Sequence, residues 1–592
     1  MPINSPEEAV PPFSPREVTI EVLQRRIRVA RGEEPGDCVL RGGRVVNVFT
    51  QRIEAANVVF ADGWIAAVGP FDWSARETIE LDGDLILPGL IDAHMHLEST
   101  LLTPTEFARV VVPHGTAAVI ADPHEVGNVL GVAGIEQLLA ASEGLPLDVF
   151  FMAPSCVPCA PFEDAGATLD AAAVERLFAH RRILGLAEVM DLPAVFSGEA
   201  GMLDKIVRTL QRGRRVDGHA PGLVGRDIIS FAAAGIASDH ESTTIEEARE
   251  KARLGMLVQV REGSVARNLD TLLPLIVADE LGDWCLCTDD IHADELIDHG
   301  HINERLRRVV QAGVPLPRAV RHAALVPARH YGFRDRGAVA PAYRADVMIL
   351  RDETSFRPRF VFHAGRLVAR EGELAVDWSA RAIPAANSVH LAPVAEDSFR
   401  IQLNHGTCRV IRACADQILT SAETHTVRVE QGEWKFDPEQ DVAALASLER
   451  HRASGRIGLA LVAGFGFRLP GALGSSVAHD SHNLIVAGTD PREMRVCVEA
   501  LERCGGGFVV VEDGEVVAEL PLPFAGLLSP EPAEAVSAGL RRVNEAAARL
   551  GCPLPDPFGT LSFLALPVIP ELRLTDRGLF DLTRTAFVPL EA

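Results

Sequence analysis

The chain has 592 residues, 47% of them hydrophobic and 23% charged, with a net charge of −25 at pH 7. That length exceeds one ordinary core, so two or three globular domains are expected and a disordered chain is excluded. The acidic balance, with no basic block anywhere, excludes a nucleic-acid polymer or an anionic membrane as partner but leaves a small neutral substrate open.

In chain order, the opening MPINSPEEAVPPFSP lacks a charged-then-apolar signal pattern, and no apolar run reaches bilayer length, so a cytoplasmic protein is expected. Residues 1–35 read as a polar lead-in with a helix in EVTIEVLQRRIRVARG. From 36 to 87, short β-branched runs alternate with Gly and Asp-Gly turns, which predicts small antiparallel strands and hairpins. The same texture returns in GAVAPAYRADVMILRD and RFVFHAGRLVAREGE, so residues 36–87 and 337–395 are expected to pair into one composite β-domain.

Residues 88–336 contain eight short apolar runs that each end in chemically capable residues. The first ends at His94 and His96, the second at Asp122, His124 and Glu125, and the third at Ser155 and Cys156. The fourth carries Glu188, the fifth His219, the sixth Asp239, His240 and Glu241. The seventh carries Arg261, Glu262 and Ser264, and the eighth Asp289 and Asp290. Helical segments such as TPTEFARVVVPHG and IEEAREKARLG lie between most of them. This alternation predicts an α/β fold, a closed (β/α)₈ barrel with its chemistry at the C-terminal strand ends. An open doubly wound sheet is the alternative, but it has no need of ligand-type residues at nearly every strand end.

Residues 396–592 are expected to form an additional C-terminal α+β domain, with a hairpin in GGGFVVVEDGEVV and an apolar tail. Its AHDSHN motif (His479, Asp480, His482) reads first as a hydrogen-bonded loop, with an auxiliary metal site or a lid on the barrel mouth as alternatives. Ten scattered cysteines suit a reducing compartment, and the lone CxxC of Cys156 and Cys159 reads as buried or unpaired thiols.

A strand alternates its faces with period two, so His94 and His96 point the same way and can share one ion. With Glu188, His219, His240 and Asp289 they make four imidazoles and two carboxylates on one barrel face, enough for two divalent ions with a bridging carboxylate. Such ions bring the pKa of bound water from about 15.7 to near 7 and supply hydroxide at neutral pH. Asp289, ending the last strand, is the candidate general base. Glu98, Asp122, His124, Glu241, Arg261 and Glu262 are candidates for substrate contact. Five of them also have a plainer reading: Glu98 as an orienting partner of a histidine, Asp122 as a helix cap, His124 as a support for a ligand, Arg261 and Glu262 as a local ion pair.

PGLIDAHMH resembles the first-strand signature of the amidohydrolase superfamily. TLLTPTEFARVVVPHG, LGLAEVMDLPAV, TDDIHADELIDHGHIN, AHDSHNLIVAGTD and LSFLALPVIPEL resemble the bacterial adenine deaminase family, and the likeness runs from about residue 35 to the C-terminus. The resemblance implies adenine plus water giving hypoxanthine plus ammonia, in purine salvage, on a binuclear centre of manganese or iron, with zinc also compatible. By motif, His94, His96, Glu188, His219, His240 and Asp289 match the metal positions. Glu188 stands where some relatives carry a carboxylated lysine, which disfavours dihydroorotase-like and hydantoinase-like readings. The implied chemistry has Asp289 passing the water proton to the departing amine, with Glu188, Glu98 or Glu241 as competing proton donors to N1. Rival expectations are another cyclic amidohydrolase or aminohydrolase acting on a different heterocycle, and a non-catalytic scaffold. A homo-oligomer is the general prior.

Overall fold

The computed structural model describes residues 15–264, 266–378, 383–384, 387–414 and 419–592. The first 14 residues of the lead-in lie outside these. Its helix, Ile20–Ala30, starts at Thr19, whose hydroxyl accepts from the Val22 N–H.

All eight apolar runs form strands of one ring. Leu90–Met95, Thr116–Ala121, Asp148–Ala153, Ile183–Val189 and Arg215–Gly218 pair in parallel as one sheet. Ser238–Asp239, Leu257–Arg261 and Trp284–Cys287 form a second. Two joints close the barrel. Ala237 N donates to Val216 O at 2.9 Å between the fifth and sixth strands, and Asp289 N donates to His94 O at 3.0 Å between the eighth and first. Every residue of Leu90–Met95 and Thr116–Ala121 is buried. That is why these strands read as unbroken apolar runs: helices cover the outside and side-chain layers fill the inside.

A nine-stranded sheet stands beside the barrel. The strand preceding the barrel, Leu85–Pro88, pairs antiparallel with Val347–Leu350 after it, with Leu87 opposite Met348. The segments flanking the barrel are therefore hydrogen-bonded together at the point where the chain enters it.

The C-terminal unit is an eight-stranded sheet with helices Pro491–Cys504, Ala533–Arg549 and Pro557–Phe563. Gly507–Glu512 and Glu515–Pro521 form the expected hairpin. Its turn residues Asp513 and Gly514 have φ of 49° and 77°, the two positive values that a tight hairpin turn of this hand requires. Among the described residues no helix is long and apolar enough to cross a membrane.

The barrel and the C-terminal unit are locked through the loop after the third strand. Phe162 stacks on Phe580 with centroids 4.3 Å apart, and Thr575 Oγ1 donates to Phe162 O at 3.0 Å. Asp164 N donates to Asp576 Oδ1 at 3.0 Å, Asn483 Nδ2 donates to Asp164 O at 2.8 Å, and Arg577 and Arg456 both pair with the Asp164 carboxylate. Burial and the neighbouring Asp164 push the Asp576 carboxyl up to about 6 from an ordinary 3.8. The folded state thus binds this proton more tightly than the unfolded chain. The stability it contributes is present below pH 3.8 and lost as pH rises through about 6. Asp576→Asn, neutral throughout, is expected to raise the apparent unfolding midpoint at pH 8, by an amount of order 1 °C in a chain this long, and to give no gain near pH 4. Thermal scans at the two pH values check this, and equal shifts at both would disprove it.

Candidate active site

The C-terminal ends of the barrel strands bring His94, His96, Glu188, His219, His240 and Asp289 into one cluster, with all but part-exposed His219 buried. Asp289 Oδ1 lies 3.3 Å from His94 Nε2 and 2.9 Å from His96 Nε2. The two Glu188 oxygens face different partners. Oε1 is 3.4 Å from His96 Nε2, whereas Oε2 is 2.9 Å from His219 Nδ1 and 3.1 Å from His240 Nε2. Burial alone would raise the Glu188 carboxyl, but His240 and His219 outweigh it and hold it well below the usual carboxylate range. Burial is outweighed at Asp289 too, by Arg261 and His240. Burial likewise pulls the His240 imidazole down, yet Glu188 and Asp289 carry it up to about 9.

The donor chemistry fits divalent metal. His94, His96 and Asp289 offer ligand atoms within 4.8 Å of one another, as do His94, Glu188 and His240. The His94 Nε2 atom is buried without a hydrogen-bond partner. His96 Nδ1 lies 3.2 Å from the Asp122 carbonyl, so Nδ1 carries the hydrogen and the Nε2 lone pair points into the cluster. Mixed imidazole and carboxylate donors suit manganese, iron or zinc.

Two buried networks hold these ligands from behind. Asp92 accepts from the backbone N–H of His94 (3.3 Å) and of Thr288 (3.2 Å) and from Thr288 Oγ1 (2.5 Å), and faces His301 Nε2 at 2.9 Å. It ties the first strand to the eighth. Asp239 accepts from Ala220 N at 2.9 Å and Glu241 N at 3.1 Å. The fully buried Lys251 Nζ donates to Asp239, to Glu247 and to the Ala220 carbonyl, each at 2.7 Å. This fixes the loops that carry His219 and His240. Gly263 lets the loop after the seventh strand lie on the eighth, since a Cβ there would sit 2.2 Å from Asp290 O.

The residues expected to contact substrate divide. His124, Glu241 and Arg261 line the cavity over the cluster. Glu98, Asp122 and Glu262 do not, because each side chain is engaged elsewhere. Glu98 Oε1 accepts from Val126 N at 3.0 Å. Asp122 Oδ2 lies 3.1 Å from His124 Nδ1, and the following helix takes no side-chain cap, so Asp122 props His124 and caps nothing. Glu262 pairs with Arg308 and accepts from Leu269 N at 3.0 Å. Arg261 is not its partner: it reaches Asp289 Oδ2 at 2.5 Å, Glu241, and Asp290 Oδ2 at 3.4 Å. Cys156 and Cys159 are buried free thiols, and no metal-capable group among the described residues includes a cysteine.

Two family models match the chain: the amidohydrolase family over residues 85–368 and the adenine deaminase C-terminal domain over 417–586. An adenine deaminase of Nitratidesulfovibrio vulgaris is 46% identical over 570 residues, covering 96% of this chain and 98% of that one. One from Methanothrix thermoacetophila is 45% identical over 570 residues, covering 96% and 99%. The chain belongs to the adenine deaminase family.

In this adenine deaminase family member the C-terminal unit reaches into the barrel mouth, which the sequence reading left as one of three options for AHDSHN. His479 and Asp480 line the cavity together with Glu125, Asp290, Phe563 and Ile569. None of these six was among the expected site residues. Glu125 and Asp290 stand next to His124 and Asp289 at strand ends and were legible there, and His479 and Asp480 lie in the AHDSHN motif; Phe563 and Ile569 carry no local signal of where they fold. Glu125, His479 and His482 also approach one another closely. Ala478 N, however, donates to His482 Nδ1 at 3.1 Å, so the neutral imidazole carries its hydrogen on Nε2. The protonated Nε2 lies 3.8 Å from Glu125 Oε2, too far for a hydrogen bond, and it has no lone pair to offer a metal in this tautomer.

Lys251→Met would leave Asp239 and Glu247 buried without their ammonium, a loss of about 3–5 kcal/mol. The expected result is a clear fall in the apparent unfolding midpoint. An unchanged midpoint would show that the two carboxylates are satisfied without it.

Proposed function

We propose that the chain hydrolyses adenine to hypoxanthine and ammonia in purine salvage, with two divalent ions, manganese or iron foremost and zinc compatible. The observation that carries this reading is the Glu188 carboxylate divided between His96 on one side and His219 and His240 on the other. His94, His96 and Asp289 would hold one ion, His219 and His240 the other, and Glu188 would bridge them. When bound, such ions lower the pKa of water towards neutrality and bear part of the charge that develops at C6.

The chain's own groups move the protons. Asp289 is held ionised beside Arg261, so it is ready to accept the proton of the attacking water and return it to the departing amino nitrogen. Water adds its oxygen to C6, N1 gains a proton from the enzyme, and ammonia leaves as the C6 carbonyl forms; the hydroxyl proton released then restores the one given to N1. Glu188 is ionised between two imidazoles and so has no proton to give to N1. Glu98 lies outside the cavity wall, and Glu241 is paired with Arg261. Glu125 lines the cavity, and burial together with nearby Glu98 pushes its carboxyl well above the ordinary range, so we assign it the delivery to N1. Adenine is neutral, and the net charge of −25 does not oppose its entry.

Stripped protein reloaded separately with manganese, iron or zinc is expected to take up about two ions per chain and to release ammonia from adenine. Full metal loading with no ammonia release would refute the reading. Asp289→Asn is expected to keep its metal and lose about 10²–10⁴-fold in kcat; near-normal turnover at full occupancy would remove Asp289 from the role of base.

A further inference from the structure

The cavity has two chemically different halves. The barrel side presents the imidazole and carboxylate cluster. The C-terminal side presents His479 and Asp480 beside an apolar roof of Phe563, Leu566 and Ile569, each almost fully buried. Asp480 is 3% exposed. Its Oδ1 lies 3.8 Å from His124 Nε2, and its Oδ2 is buried with no hydrogen-bond partner at all. A buried carboxylate oxygen in a cavity wall with nothing donating to it is poised for a donor that arrives with the ligand.

The shape of a purine says which donor that is. The bond from N9 to a substituent leaves the ring on the side away from the C6 amino group. With C6 held against the barrel cluster, the imidazole edge faces the C-terminal half. Free adenine carries one N–H on that edge, whichever of N7 and N9 bears it. A nucleoside or a 9-alkyl purine carries none. The roof, moreover, gives sugar hydroxyls no hydrogen-bond partner.

We propose that Asp480 accepts the imidazole N–H of the bound base, and that with Phe563 and Ile569 it makes the site select free adenine over N9-substituted adenines. The C-terminal domain is thereby the specificity filter of an active site whose chemistry the barrel supplies. The inference rests on the adenine-hydrolysing function proposed above.

The test compares kcat/KM for adenine, 9-methyladenine and adenosine in metal-replete wild type, Asp480→Ala, Phe563→Ala and Ile569→Ala, with metal content measured for each. In wild type, adenine is expected to be preferred over 9-methyladenine by at least about 10²-fold, because a site built around a buried acceptor rejects an analogue lacking the donor. Asp480→Ala is expected to raise KM for adenine, leave 9-methyladenine unchanged or improved, and collapse the preference at least tenfold. The roof variants are expected to raise turnover of the N9-substituted substrates relative to adenine. If Asp480 acts only by propping His124, both substrates fall by the same factor and the preference stays, which overturns the proposal; so does a wild type that accepts adenosine as readily as adenine. No ammonia from adenine with fully loaded wild type would instead refute the function itself. Activity on adenine with a preference unmoved in all three variants refutes this inference alone.

Discussion

A buried carboxylate shared between imidazoles from three different strands is the constraint around which the barrel is arranged. Glu188 reaches His96 with one oxygen and His219 and His240 with the other. A carboxylate in such a place is tolerable only with cationic partners close by, and His240 and His219 hold it well below the usual carboxylate range against the cost of burial. Protons on the imidazoles or divalent ions between them can meet that demand. Only the ions also supply activated water.

Holding such a cluster requires that its ligands not relax away from one another. The barrel does this with polar groups that never meet the substrate. Asp92 gathers backbone N–H groups from the first and eighth strands, and Asp239 gathers them from the loops after the fifth and sixth. Lys251 neutralises Asp239 without access to solvent. Each is a buried polar group whose desolvation is offset by several hydrogen bonds, and each acts at a joint between strands, where a cluster residue would otherwise drift.

Much of this could be read from the sequence, for a definite reason. Strands covered on both faces appear as continuous apolar runs, so their polar ends stand out, and period-two alternation turns His94 and His96 the same way. What could not be read is which polar end residues face the cavity. Glu98, Asp122 and Glu262 have the same local texture as Glu241, but a backbone N–H of Val126, the ring of His124, and Arg308 with Leu269 N claim them first. Those claims depend on loop paths that no short motif encodes. The same holds for Asp480, whose nearest partner in the site, His124, is remote in the chain.

That remoteness ties the proposed substrate choice to domain docking. Asp480 and Phe563 can line the cavity only if the C-terminal unit sits squarely on the barrel, and the loop that holds it there is the one carrying Phe162 and Asp164. Asn483, three residues beyond Asp480, donates to the Asp164 carbonyl, so the AHDSHN loop is itself one of the clamps. The segment that closes the cavity and the segment that fastens the domains are therefore a single stretch of chain. A barrel without this unit would retain the imidazole and carboxylate cluster but would lose Asp480 and Phe563 from the cavity wall. On the proposed function the chemistry would fall to the barrel, and the choice of purine edge to the interface.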